Sequence, residues 1–238
     1  MRHSHTTMTE RAKANPLIEL LITLIVPSLI LMKLSAPENL GSAAALVLAL
    51  SFPLSWGLFE FWTRRKLNVF AALGVVSTLL TGGIGLLALD TQWLAVKEAA
   101  IPGLIGLAVL GSTYTRYPLV QTLLLNPAII DAALLQSKLE DHGATKVFET
   151  RLLRATWMLS GTFFFSSVMN YVLATTIVVS PAGTAAFNEE LGRLTLVSYP
   201  FIALPSMAMM GLVMYYLSRS TRELTGLGIT EFLGLAKE

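Results

Sequence analysis

The sequence has no cysteine, only three histidines and few charges. The first absence excludes disulfides, cysteine-ligated zinc and thiol catalysis. His3 and His5 stand in a polar leader and His142 in a long central loop, so neither a histidine-built metal site nor any other cofactor is expected. Charged residues make up 13% of the 238 positions, about half the ~25% of soluble domains. The net charge of +2 is too small to imply a nucleic-acid partner. Catalytic signatures are missing as well: there is no H-E-x-x-H, G-x-S-x-G or phosphate-binding Gly-rich loop. Asp131, Glu140, Asp141 and His142 are the one mixed polar group in a loop, and they read more naturally as a solvated helix end than as an active site. No enzyme is expected.

What the chain has is apolar residues, 54% of the total, with a mean hydropathy of +0.65. Its partner is therefore expected to be the lipid bilayer. A bilayer core takes about 20 apolar residues in helix, and backbone groups in lipid must bond internally. Six segments meet that requirement: 16–34, 40–61, 68–89, 97–114, 153–178 and 195–217. The fold expected is all-α, a polytopic membrane protein of six transmembrane helices. It divides into a leader at 1–15, a membrane domain at 16–217 and a tail at 218–238, with a short helix from Thr230. The leader lacks a small-residue cleavage site and reads as a cytoplasmic segment and not a signal peptide.

Positive charge fixes direction. Fourteen of the 17 Lys and Arg residues fall on one side, leaving Lys33, Lys97 and Arg193 on the other. Arg64, Arg65 and Lys66 dominate the first turn on the basic side, so both termini are expected in the cytoplasm. Trp56, Trp62, Trp93 and Trp157 stand at span ends, as interfacial anchors do. The cytoplasmic segment 117–152 is too apolar for a linker. Asn126 and Pro127 suit a helix start, Ile129, Ile130, Ala133, Leu134 and Ser137 would line one side of that helix, and Gly143 would end it. An amphipathic helix on the membrane interface and a lid under the bundle fit equally well. Across the bilayer, Asn188, Glu189 and Glu190 resemble a helix N-terminus, so the last span is expected to begin before Thr195.

Four spans are broken by proline: Pro27, Pro53, Pro102, and Pro200 with Pro205. Each interior proline frees a carbonyl that neighbours or cavity water must satisfy. Span three carries Gly74, Thr78, Thr81 and Gly85 on one face, and span five carries Ser160, Ser167, Asn170 and Ala174. Close helix packing explains both stripes. Asn170 is read as interhelical glue or as a solute contact. "VPSLILMKL" at Val26 and "LPSMAMMGL" at Leu204 look alike in spans of opposite direction, as in an inverted repeat or by chance.

Lys97 and Glu98 open the fourth span. Adjacent helical residues point about 100° apart, so the two are expected to diverge, with Lys97 reaching outward. Glu98 shares a face with Pro102, Ile105, Val109 and Ser112. A carboxylate there is favoured by the helix dipole alone, or it serves a proton or cation, because ionisable groups within a membrane are costly. Glu98, Pro102, Asn170, Thr78, Thr81 and Ser167 are the candidate cavity residues.

"FWTRRKLNVFAALGVVSTLLTGGIGLL" and "DTQWLAVKEAAIPGLIGLAVLGSTY" resemble the multispan intracellular septation protein A family, and "NPAIID", "MNYVLA" and "LPSMAMM" its relatives that are labelled permeases. The resemblance implies a bacterial inner-membrane protein in an envelope context and supplies no catalytic residue. Two functions remain open: a small-solute or ion transporter with a cavity between spans three to five, expected as a homodimer, or a scaffold for envelope or division membrane proteins.

Overall fold

The structure is a computed structural model, and it describes residues 20–64, 69–115 and 132–226. The leader, Arg65 and Lys66, the Asn126–Pro127 helix start and the Thr230 helix lie outside the described residues, as do the side chains of Glu60 and Arg64.

Among the described residues every regular element is helical. α1 is a π-helical turn, Leu21–Ile25, running into an α-helical part, Val26–Leu34. α2 spans Ser42–Arg64, α3 Val69–Leu86 and α4 Gln92–Gly111, the last ending in a 3-10 turn, Ser112–Tyr114. α5 spans Ala132–Asp141 and α6 Thr145–Ile177. α7, Ala185–Ser198, passes through a π turn, Tyr199–Ala203, into α8, Leu204–Thr225. The long helices alternate in direction and pack as an antiparallel bundle, with loops at a Gly183 end and a Gly143 end.

Among the described residues three helical stretches are, by length and composition, apolar enough to cross a membrane, Ser42–Phe59, Gln92–Tyr114 and Ala185–Thr225, with shorter apolar helices at Leu21–Leu34 and Ala72–Leu86. Their outer faces are hydrophobic: Leu104 is 65% exposed, Met207 70% and Leu79 57%. An apolar belt of that kind marks a surface made for lipid or another protein. α6 holds 33 residues and the α7–α8 rod 41; at about 1.5 Å per residue both outrun a hydrocarbon core of about 30 Å. Near the Gly143 end Glu223 binds Arg219 of its own helix at 2.9 Å and Arg151 at 2.7 Å, and the latter bond ties α8 to α6.

Prolines set two of the irregularities. The ring of Pro27 displaces the carbonyl four residues earlier, Thr23, and that of Pro205 displaces Phe201. Both displaced residues lie inside π turns. The two similar "PS" strings thus share a backbone device, a π turn that ends two residues before the proline, which the sequence did not reveal. The sequence-derived ends also move: the fourth span begins at Gln92 rather than at Lys97, and the last begins at Ala185, as Asn188 hinted. Its N-cap, however, is Thr184, whose Oγ1 accepts from Phe187 N at 3.1 Å.

Two apolar cores lie at opposite ends. Leu46, Leu94, Phe187 and Leu191 centre the one at the Gly183 end, and Leu159, Leu152, Val213 and Leu217 the other. α5 joins the latter through buried Leu135 and Leu139, so it packs against the bundle at the Gly143 end. Leu134 and Ser137 face outward, contrary to the face read from sequence. Gly143, at φ +61°, ends α5 while Ala144 N bonds Leu139 O at 2.9 Å, the αL termination typical of glycine. At the far end Gly183, at φ +83°, sits where a Cβ would press within 3.4 Å of both Ala88 Cβ and Gly85 O.

Candidate functional site

The α4–α6 seam is the main packing contact of the bundle, and small residues make it. A Cβ on Gly103 would lie 3.0 Å from Ser167 Oγ, and one on Gly106 3.2 Å from Phe163 Cβ. Glycine therefore lets the backbones approach. Ser160 Oγ donates to Gly106 O at 2.9 Å and Ser167 Oγ to Ala99 O at 2.7 Å. The serines are two turns apart, as are their acceptors, in reverse order. Ser167 is thus a seam residue. Thr78 is half-buried, donates to Gly74 O of its own helix at 2.9 Å, and does not line the cavity described below. Gly85 of the same stripe, and Gly82 beside it, meet Leu46 and Leu50 of α2.

Lys97 departs from expectation. It is buried, with its side chain 7% exposed, and its ammonium reaches Glu98 Oε1 at 2.7 Å. The 100° divergence of adjacent positions is overcome by the length and flexibility of the two side chains, which bend toward a common point. The same ammonium donates to Thr81 Oγ1 at 2.7 Å and Ser77 Oγ at 3.2 Å on α3. Lys97 therefore points inward to α3. The helix starts five residues earlier, so the pair sits more than a turn inside α4 and not at its mouth. Thr81 is a lysine ligand, a role the small-residue stripe concealed.

Beside this pair lies an open-sided groove of about 510 Å³, between the two apolar cores. Glu98, Ile101, Pro102 and Ile105 of α4 form one wall; Leu73, Gly74 and Ser77 of α3 another; Phe163, Ser166 and Asn170 of α6 a third. Ser198, Tyr199, Ile202, Ala203 and Ser206 complete it, so the second π turn is part of the lining. Such turns frequently interrupt helices at functional sites. Of the sequence candidates, Glu98, Pro102 and Asn170 meet at the groove, and Thr81 stands behind it through Lys97. Asn170 is half-buried and donates to Ser166 O of its own helix at 2.8 Å, not across to the Gly/Thr face of α3. Ser166 and Ser206 share a hydrogen bond at 2.8 Å. Pro102 has no amide hydrogen to bond Glu98 O.

Sequence reasoning missed Asn188. It is fully buried, with Nδ2 donating to Ser35 Oγ at 3.0 Å and Ser42 O at 2.7 Å. It fastens α7 to the turn between α1 and α2. One helical turn on, Gly192 lets α7 rest on α1, where a Cβ would lie 2.8 Å from Ser28 O. Glu190, in the same acidic string, clasps its own loop by accepting from Val179 N, Ser180 N and Ser180 Oγ at 2.7–2.9 Å. No group of three potential metal ligands occurs among the described residues.

Fold and site together define a protein that is all-helical among the described residues, whose helices suit a membrane and whose bundle holds a groove bordered by an ion pair with a buried lysine. No protein-family model, curated protein or solved structure matches the chain.

Proposed function

We propose that this is a six-span inner-membrane protein that moves a small solute through the groove between α3, α4, α6 and the α7–α8 rod. One observation carries the reading: the Lys97–Glu98 pair is held at the wall of a mid-bundle groove. Charges within a membrane are expensive, and they persist where they serve a pathway or a site. The π turn beside Ser198 and the proline beneath Glu98 supply backbone irregularity where it lines a cavity, which is where membrane helices tolerate it. The resemblance to the septation protein A relatives would place the chain in a bacterial envelope, with both termini cytoplasmic and α5 beneath the cytoplasmic face.

The cysteine-free sequence offers a test that needs no known solute. Ala203→Cys and Ser206→Cys put a thiol on the groove wall. A transporter that alternates its access exposes them to a membrane-impermeant maleimide in both right-side-out and inverted vesicles. Protection on both sides, with co-purification of a division or envelope protein, would support the scaffold instead.

A further inference from the structure

Resting on the reading of the groove as a solute site, we infer that its solute is a neutral amphipathic molecule that donates a hydrogen bond to Glu98, and not an ion. The Lys97 ammonium has three protons and three acceptors, Ser77 Oγ, Thr81 Oγ1 and Glu98 Oε1. It is saturated and buried, so it has nothing to offer a solute. Its effect is to cancel the charge of Glu98. The carboxylate side chain is 28% exposed and borders the groove, where Oε2 remains an acceptor. Among the described residues lining the groove Glu98 is the one ionisable carboxylate, and the lining holds no cation. The pocket is therefore electrically neutral as it stands.

An ionic solute would bring an uncompensated charge into a low-dielectric site, and burying such a charge is costly. A hydroxyl or amide N–H on Glu98 gains a charge-assisted hydrogen bond without that cost. Ile101, Ile105, Phe163 and Ile202 provide an apolar bed. The volume of about 510 Å³ falls within the roughly 300–1,000 Å³ of small-molecule sites.

Three probes of one shape separate the possibilities: 4-phenylbutan-1-ol, 4-phenylbutylammonium and 4-phenylbutanoate. Each is measured by equilibrium dialysis against the full chain in zwitterionic nanodiscs, with empty discs as the partition control. The expected result is saturable binding of the alcohol at least tenfold tighter than either ion. Lys97→Met leaves Glu98 unpaired and should turn the preference to the ammonium probe by at least tenfold. The charge-free double variant Lys97→Met/Glu98→Gln should again reject both ions, and it covers the case in which the single variant does not fold. An ionic preference in the unaltered chain, or a preference indifferent to Lys97→Met, overturns the inference and leaves the solute site standing. No saturable binding of any probe to the unaltered chain overturns both.

Discussion

The ammonium of Lys97 is bonded to the carboxylate of its chain neighbour, Glu98, at 2.7 Å, and the bond lies inside the bundle. The lysine is the more deeply buried partner, and α3 supplies its other two acceptors. Neither residue can be altered alone without stranding the other.

A double-mutant cycle should expose that dependence. Breaking a buried pair by removing one partner typically costs about 3–5 kcal/mol, whereas replacing both with uncharged residues is often near neutral. Glu98→Gln strands the more buried charge and should cost more than Lys97→Met, since Glu98 retains some contact with the groove. The double variant should unfold close to the unaltered protein. Additive losses in detergent unfolding curves would mean that the two residues do not act as a unit.

How much of this was legible follows from what hydropathy can see. Lipid-facing surface fixes the presence of the helices, and proline the places where they break. The sequence-derived start at Lys97 failed because a charge looks like a boundary, while Ser77, Thr81 and Glu98 let it lie within the helix. Thr81 and Ser77 are 16 and 20 residues away in sequence on another helix, a juxtaposition that no local pattern encodes. The small-residue stripes are packing surfaces at Gly85 and at Ser167, although the sequence also marks Ser167 as a cavity residue, and the partner of each is set by tertiary contacts. Asn188 was taken for a helix-end signal, because its acidic neighbours mimic one and its bond to Ser35 spans 153 residues.

The α4–α6 seam should separate hydrogen bonding from packing. Interhelical hydroxyl bonds in membranes average about 0.6 kcal/mol and reach about 1.7, so Ser160→Ala and Ser167→Ala should each be mild. Gly106→Val drives a branched side chain toward Phe163 and Phe164, which lie 3.2–3.3 Å from even a Cβ there. Overpacking of that kind typically costs about 1–3 kcal/mol. Unfolding in mixed micelles should rank Gly106→Val below both serine variants, and the reverse order would assign the seam to its hydrogen bonds.

Two asparagines make a matched comparison. Asn188→Ala removes the donor from Ser42 O in a fully buried setting, and such a loss costs about 1–3 kcal/mol. Asn170→Ala removes a half-buried amide bonded only locally, to Ser166 O, and should barely change stability. It should instead weaken binding or transport at the groove. Equal thermal losses for the two would show that Asn170 is structural.

Topology is tested by the same absence of cysteine. In the proposed orientation the positive residues before α1, between α2 and α3, and around α5 and α8 hold those segments in the cytoplasm. The alternating direction of the helices then carries Thr91 and Gly183 to the opposite face. Thr91 caps α4 and Gly183 sits in the loop before α7. Gly183 carries a positive φ and a close contact, Ala182 is buried in the apolar core and the Ser180 hydroxyl binds Glu190, so Val179, which is 69% exposed, is the less disruptive site there. Thr91→Cys and Val179→Cys should react with an impermeant maleimide on intact cells, whereas Lys66→Cys should react only after the membrane is opened. Labelling of position 66 from outside would reverse the orientation, and with it the proposed cytoplasmic placement of α5.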